Sequence, residues 1–204
     1  MGAKLIVVEG IDGVGKTTLA EYIAQTLGGI YYKTPPEPYA TECWQLNRYD
    51  IPTCFAFFIE SIRFAGQQIT EHLGNGRSVV ADRWIWTTLA YHFARDNGLY
   101  QESYSTWRSL LVDLPQSDLD ILLTINSLPV WMERMRKKNP SLNNQDIVSK
   151  HEERERILQL YASLNPRFIQ IDNGGLVKST QARVDVLLAT LSNGSVITRE
   201  VQYA

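Results

Sequence analysis

The chain is organised around the stretch Gly10-Ile11-Asp12-Gly13-Val14-Gly15-Lys16-Thr17. This stretch matches the pattern G-x-x-x-x-G-K-S/T at every fixed position. An apolar, β-branched run from Lys4 to Val8 precedes it and predicts a buried parallel strand. Apolar residues at helical spacing follow it, from Leu19 to Leu27. The order of strand, glycine-rich loop and helix therefore predicts a loop that wraps a polyphosphate with its backbone N–H groups.

Each polar residue of this loop has a predicted role in binding ATP. Lys16 is expected to reach the β- and γ-phosphates, and the Thr17 hydroxyl is expected to ligate Mg²⁺. The competing interpretation is a chance glycine-rich turn between a strand and a helix, and the match of both the residues and their context disfavours it. The predicted ATP-binding residues are Gly10, Asp12, Gly13, Val14, Gly15, Lys16, Thr17 and Thr18.

The bulk composition excludes several classes of protein. Hydrophobic residues make up 44% of the 204 residues and charged residues 21%, as in an ordinary globular domain. The formal net charge of −2 argues against a nucleic-acid partner, and no apolar run reaches membrane-spanning length. Cys43 and Cys54 are too few for a disulfide framework or a zinc site, which favours the reducing cytoplasm.

The rest of the chain alternates predicted strands and helices. Strands are expected at 29–33, 78–81, 119–125 and 168–172. Helices are expected at about 53–73, 85–95, 101–111, from Pro129 onward, 147–164 and 180–191. This alternation predicts an α/β fold: a three-layer sandwich of the P-loop NTPase type, with a five-stranded parallel sheet flanked by helices. A single domain over 1–204 is expected, with a short basic lid at about 135–146 and a tail, 192–204, of unclear role.

Two sequence blocks together resemble the thymidylate kinase family of P-loop nucleoside monophosphate kinases. The first block is Val8-Glu9-Gly10-Ile11-Asp12-Gly13-Val14-Gly15-Lys16-Thr17-Thr18, and the second is Asp82-Arg83-Trp84 followed by Ala90-Tyr91. The similarity extends from Leu5 to about Leu191, although only these blocks are specific. The resemblance implies ATP-dependent phosphorylation of a deoxynucleoside monophosphate, dTMP to dTDP above all, with Mg²⁺ as cofactor and a homodimer as the assembly.

The resemblance also implies roles for residues outside the phosphate loop. Asp12 is expected to contact the 3′-hydroxyl of the acceptor sugar, and Asp82 to orient Mg²⁺ and its water shell. Arg83 is expected to clamp the acceptor phosphate, because a rigid and permanently charged fork suits that group. The simpler alternatives are a turn residue for Asp12, a strand-end cap for Asp82 and a surface ion pair for Arg83.

The expected acceptor site follows from the same resemblance. Tyr91 is expected to pack against the sugar and exclude a 2′-hydroxyl, Phe58 to stack on the base, and Arg63 to contact the thymine edge. For the two aromatic residues, burial in the core is the alternative. The expected acceptor-binding residues are Asp12, Phe58, Arg63, Arg83, Thr87, Thr88 and Tyr91.

Three departures from the family pattern bear on catalysis. The segment Pro36-Glu37-Pro38-Tyr39 lacks the arginine that many relatives carry there, and 143–146 lacks their Asp-Arg pair. Gly13 means that the phosphate loop supplies no arginine finger. A transition-state cation is therefore expected from Arg134, Arg136, Lys137 or Lys138, for which a solvated helix face is the alternative. The expected catalytic residues are Lys16, Asp82, Arg83, Arg134 and Arg136.

Other functions stay open at this point. The chain could phosphorylate another nucleotide or a deoxynucleoside, and a hydroxyl acceptor would need a carboxylate base, for which Glu37 is the nearest candidate. A non-kinase NTPase would leave the Asp82-Arg83 pair unexplained. A nucleotide-binding protein without catalytic activity is suggested only by the altered lid.

Overall fold

The computed structural model describes residues 2–141 and 144–193, apart from the side chains of 44, 47, 48 and 144–149. These residues form one sheet of five parallel strands in the order β2-β3-β1-β4-β5. The strands are β1 (Leu5–Glu9), β2 (Ile30–Lys33), β3 (Val79–Asp82), β4 (Leu119–Thr124) and β5 (Ile169–Asp172). The expected parallel sheet of a P-loop NTPase is thereby confirmed.

Helices follow the strands and cover both faces of the sheet. They are α1 (Lys16–Leu27), α2 (Tyr39–Glu42), α3 (Ile51–Gly74), α4 (Ile85–Arg95), α5 (Asn97–Glu102), α6 (Tyr104–Asp113), α7 (Leu128–Lys138), α8 (Asn144–Leu164) and α9 (Val177–Ser192), with a 3₁₀ helix at Cys43–Arg48. The single helix expected at 101–111 was wrong, since α5 and α6 divide at Ser103. The Asp96 side chain starts α5 by accepting hydrogen bonds from the N–H groups of Gly98 and Leu99.

The central strands are apolar on both faces because each face meets a layer of helices. In β1, Ile6 and Val8 belong to a core shared with α1, α7, α8 and α9, whereas Leu5 and Val7 belong to a core shared with α3 to α6. All five residues of β1 are buried. The carboxyl ends of the strands consequently meet at one edge, and the loops that follow them carry the candidate site.

Parts of the lid and the tail lie outside the described residues. The structure describes α7 and residues 139–141 of the expected lid, whereas 142–143 and the tail from 194 onward fall outside it. In the part of the chain that the structure describes, no helix is long and apolar enough to cross a membrane.

Candidate functional site

The phosphate loop joins β1 to α1 and depends on its glycines. Gly10, Gly13 and Gly15 have φ angles of 142°, 82° and 97°, a region that other residues rarely adopt. A Cβ atom on Gly10 would approach the carbonyl oxygen of Leu123 in β4 to 2.3 Å. The loop therefore lies directly against the neighbouring strand, with no room for a side chain at this position.

The space beside Gly13 explains why the loop carries no arginine. A Cβ atom on Gly13 would lie 2.9 Å from Sδ of Met135, on α7. On the same helix, Trp131 Nε1–H donates to the carbonyl oxygen of Asp12 at 2.9 Å. The α7 helix therefore packs on the outer side of the loop, where a larger side chain at position 13 would project.

Lys16 is held inside the loop. Only 6% of the residue is exposed, and its Nζ donates to the carbonyl oxygen of Ile11 at 2.7 Å. Burial and the positive charge of Arg83 together lower the pKa of Lys16 to about 7, against the opposing effect of the carboxylates of Asp12 and Asp82. A polyphosphate in the loop would supply the negative charge that keeps this ammonium protonated.

Thr17 and Asp82 meet at the end of β3. The Thr17 hydroxyl donates to Asp82 Oδ2 at 2.6 Å, and the Tyr31 hydroxyl donates to the same oxygen at 3.0 Å. The other oxygen, Asp82 Oδ1, is buried without a hydrogen-bond partner among the described residues. A hydroxyl beside a carboxylate with one unpartnered oxygen is a donor set that fits Mg²⁺ or its water shell.

Arg83 has an unusual backbone conformation that three contacts enforce. Its φ is 73°, which is strained for a residue with a side chain. Its N–H donates to the carbonyl oxygen of Val8 at 3.0 Å, and its carbonyl accepts from the Thr34 hydroxyl at 3.0 Å. The next N–H, of Trp84, donates to Glu9 Oε1 at 2.9 Å. Contacts to β1 and to the residue after β2 thus fix the direction in which the Arg83 side chain leaves the backbone.

The Arg83 guanidinium lies over the phosphate loop. Its Nη2 contacts Asp12 Oδ1 at 2.5 Å, and its carbon Cζ lies 5.6 Å from the centre of the Tyr91 ring. Lys138 Nζ, at the end of α7, lies 3.5 Å from the same Asp12 oxygen. Burial acts to raise the pKa of Asp12, but the charges of Arg83, Lys16 and Lys138 outweigh it, so the net effect lowers that pKa. The structure thus brings together Asp12, Arg83 and Tyr91.

A cavity of about 120 Å³ opens on the other side of the loop. Its lining includes Gly15, Thr18 and Arg134, together with Asn173 and Thr180 from the region after β5. Arg134 Nη2 donates to the carbonyl oxygen of Asn173 at 2.8 Å. The structure therefore places Arg134 beside this cavity, whereas Lys138 of the same helix lies on the Asp12 side. Arg136 lies in the last turn of α7.

The other expected acceptor residues have different neighbours. Thr87 lies within 3.5 Å of Arg83 Nη1. The Phe58 ring packs 5.4 Å from the His92 ring, whose Nδ1–H donates to the carbonyl oxygen of Thr88. Arg63 lies among other residues. It pairs with Glu60 at 3.4 Å and lines a groove of about 510 Å³ between α3 and α6.

Sequence reasoning missed two buried residues that support the loop. Glu9 is fully buried beneath it, where burial raises the pKa of its carboxyl to about 7 against hydrogen bonds from Thr87 and Trp84. Asn173, directly after β5, donates from Nδ2 to the carbonyl oxygen of Val14 at 2.8 Å. In both cases the available signal was a polar residue at the carboxyl end of a predicted strand.

The chain is similar to proteins of one known family. A family model described as thymidylate kinase matches residues 8–184. A protein of Thermoplasma acidophilum named "Probable thymidylate kinase" is 30% identical over 69% of this chain and 76% of its own length. One of the same name from Metallosphaera sedula is 28% identical over 94% of this chain and 95% of its own.

The fold has a counterpart among solved structures. The structure of thymidylate kinase from Candida albicans superposes with a TM-score of 0.74. The superposition covers 97% of this chain and 96% of that one, at 20% sequence identity. At this level of sequence identity, the similarity shows that the two proteins share a fold.

Proposed function

Because the chain belongs to the thymidylate kinase family, we propose that it transfers the γ-phosphoryl group of ATP to dTMP, giving dTDP. The observation that carries the proposal is the position of Arg83. Its guanidinium faces the phosphate loop from the end of β3, with Asp12 between them. Two cations, Lys16 inside the loop and Arg83 facing it, fit a donor polyphosphate and an acceptor phosphate that meet there.

Phosphoryl transfer depends on positioning and charge neutralisation more than on covalent chemistry. Lys16 binds the β- and γ-phosphates of the donor, and Arg83 binds the phosphate of the acceptor and holds it in line. No general base is required, because a phosphate monoester is already a nucleophile near neutral pH. Lys138, close to Asp12, is the lid cation best placed to approach the transferred group.

Thr17 and Asp82 are the residues that would hold Mg²⁺ with the ATP phosphates. Bound there, the ion would neutralise charge on the transferred phosphoryl group. The buried and unpartnered oxygen of Asp82 supports this assignment. The 120 Å³ cavity that Gly15, Thr18 and Arg134 line adjoins the phosphate loop. We assign this cavity to the nucleoside of ATP, which favours donor binding over transition-state chemistry as the role of Arg134.

The position of Glu37 favours a monophosphate over a nucleoside as acceptor. A nucleoside kinase needs a carboxylate base at the acceptor hydroxyl. Glu37 Oε2 instead accepts hydrogen bonds from the N–H and the hydroxyl of Thr41, at 3.2 and 2.7 Å, within its own segment. Arg63 as the residue that reads thymine stays a prediction, to which its place in the α3–α6 groove lends no support.

The decisive experiment is a coupled assay with ATP and a panel of nucleosides and monophosphates, applied to wild type, Arg83→Ala and Arg83→Lys. We expect dTMP to be the best acceptor. Arg83→Ala should raise KM for dTMP at least about tenfold and lower kcat, and lysine should restore only part of the loss, because it lacks the planar fork. Arg95→Ala, which removes an exposed ion pair on α4 with Glu153, is the control.

Two outcomes would reject the proposal. One is phosphorylation of an unphosphorylated nucleoside but of no monophosphate. The other is an unchanged KM for dTMP in Arg83→Ala, since Arg83 would then hold something other than an acceptor phosphate.

The proposal extends to assembly and location. A homodimer would form through α3 and the helices beside it, where the groove between α3 and α6 exposes apolar surface. The free thiols of Cys43 and Cys54 suit the reducing cytoplasm.

A further inference from the structure

Glu9 is a buried charged residue to which the proposed reaction gives no role. It ends β1 and is fully buried. A carboxylate that leaves water needs hydrogen bonds or an opposite charge to offset the loss of hydration. Its partners therefore indicate what it does.

One oxygen of Glu9 caps α4 from a different part of the chain. Oε1 accepts from the N–H of Trp84 at 2.9 Å and from the N–H of Thr87 at 3.0 Å. These groups lie in the first turn of α4, which has no capping side chain of its own. A carboxylate at this end of a helix satisfies free N–H groups and interacts favourably with the helix dipole.

The second oxygen of Glu9 connects to α8, the helix that follows the lid. The Thr87 hydroxyl makes a short hydrogen bond to Oε2, and the Tyr161 hydroxyl lies 2.7 Å from the Thr87 hydroxyl. Because the one Thr87 proton goes to Glu9, Tyr161 is the donor to Thr87. Tyr161 is itself fully buried. A continuous chain of hydrogen bonds thus runs from α8 through α4 to the end of β1.

This chain ends at Arg83. The Trp84 N–H that Glu9 holds belongs to the peptide that follows Arg83, whose backbone is left-handed. The Thr87 hydroxyl that Glu9 holds lies 3.5 Å from Arg83 Nη1. Through these two groups, Glu9 restrains both the backbone and the guanidinium of Arg83. The strained φ of Arg83 persists only while such contacts hold it.

We propose that Glu9, braced by Tyr161, is a positioning residue that holds the Arg83 guanidinium in place for the phosphate of the acceptor. This inference rests on the proposed function, because it assigns Arg83 to the acceptor. It adds that acceptor binding depends on a carboxylate that touches neither substrate. Donor binding does not depend on it in the same way, since Lys16 and Thr17 have other partners.

The kinetic test uses Glu9→Gln and Tyr161→Phe. Glutamine keeps one oxygen for the two backbone N–H groups but replaces the oxygen that accepts from Thr87 with a donor. We expect KM for dTMP to rise about tenfold in Glu9→Gln, the effect of losing a hydrogen bond to a charged group, and less in Tyr161→Phe. KM for ATP should stay within about twofold of wild type, because the loop contacts are retained.

Asp120→Asn is the matched control. Asp120 is also a buried carboxylate, 4% exposed, and accepts hydrogen bonds from Ser117 and Asn165 at the opposite end of the sheet. It should lower stability without a selective change in KM for dTMP. If KM for ATP and dTMP rise equally in Glu9→Gln, or if Asp120→Asn gives the same selective pattern, the positioning role is wrong.

A ligand-free measurement keeps this inference separate from the proposed reaction. Hydrogen exchange at the N–H groups of Trp84 and Thr87 should accelerate about tenfold or more in Glu9→Leu. The N–H groups of Val7 and Val80, in the sheet, should not change. Unchanged exchange at Trp84 and Thr87 would overturn the inference even if dTMP proves to be the acceptor. Faster exchange would support the backbone role even if dTMP is not the acceptor, and Glu9→Ala, which also lacks the accepting oxygen, serves if the leucine variant does not fold.

Discussion

At the scale of single residues, the candidate site places a buried ammonium, Lys16, beside the partly buried Arg83 and Asp12. The charges of Arg83 and Asp12 shift the pKa of Lys16, and those of Arg83 and Lys16 shift the pKa of Asp12. Burying the Lys16 ammonium without a phosphate partner costs free energy. Nucleotide binding supplies the opposite charge and offsets this cost. Two predictions follow from the residues of this region.

Lys16→Ala should reduce turnover at least about 100-fold, because it removes a charge aimed at the transferred phosphoryl group. The fold should persist, since the lysine destabilises the free protein. Its pKa falls from 10.5 to about 7 on folding, so between these pH values the unfolded chain binds more protons than the folded one. The stability of wild type relative to Lys16→Ala should therefore rise from pH 7 toward pH 10.5.

Urea denaturation of both proteins across this pH range measures the effect, and Lys178→Ala, on the exposed side of α9, is the control. A relative stability that falls with increasing pH would contradict the assignment of a depressed pKa to Lys16.

Tyr91 should determine the choice between deoxyribose and ribose. Its ring lies beneath Arg83 and borders a small cavity that Asp12 also lines. A ribose 2′-hydroxyl that meets this ring would lose hydration without a partner, at about 1–3 kcal/mol, so we expect about 5- to 150-fold preference for dTMP. Tyr91→Ala should reduce the preference, measured as the ratio of kcat/KM values, whereas Tyr91→Phe should keep it. A wild type without any preference would disprove the steric role.

At the scale of elements, the phosphate loop packs against three neighbouring parts of the fold. The β4 strand touches it at Gly10, α7 at Gly13 and the loop after β5 at Gly15. Its shape is therefore a property of the packed sheet and helices, and the glycines mark the points of close approach.

Gly10→Ala tests this view. A Cβ atom there would overlap the carbonyl of Leu123 and also face an unfavourable φ, so we expect unfolding to become easier by more than about 2 kcal/mol. Gly28→Ala, at the end of α1, has φ 58° with no atom within 4 Å, so only the cost of the left-handed backbone applies, about 1 kcal/mol. Equal costs in urea denaturation would mean that the contact with β4 is unimportant.

At the scale of the whole molecule, α3 contributes to more than one surface. Its buried side, including Phe55 and Ile62, belongs to the core, and Tyr39 packs on Phe57 and Phe64. The remaining side, with Thr70 and Gln67, forms the groove with α6. α3 is also exposed at Pro52, Thr53, Ala56 and Glu60. We propose the groove as the surface through which a second copy packs, because it joins α3 to α6 and is lined in part by Leu110 and Leu114.

A dimer mass in light scattering at micromolar concentration is therefore expected. Thr70→Arg, in the groove, should shift the protein toward monomer, because a second copy would have to bury the added charge. Thr26→Arg is the matched control, since Thr26 is likewise exposed on a helix and bonded to the carbonyl four residues earlier. A monomer mass in wild type would refute the prediction.

The sequence by itself determined the fold and the family of the chain. Strands and helices can be told apart in the sequence because their side-chain periods differ. A glycine-rich loop of this pattern between a strand and a helix commonly binds phosphate. The pair Asp82-Arg83 ends a buried strand, and parallel strands bring such ends to one edge. These local signals were enough to predict the family of the chain, which the family model confirmed.

Only the tertiary structure decided how the side chains are held. Phe58 and Arg63 are five residues apart, which separates them by roughly 140° around a helix, so they face different neighbours. Glu9 and Arg83 are distant in the chain, and nothing local indicates that one fixes the backbone of the other. Hydrogen bonds between distant segments exist only after the chain has packed, because burial removes water as the alternative partner and makes the geometry of these contacts specific.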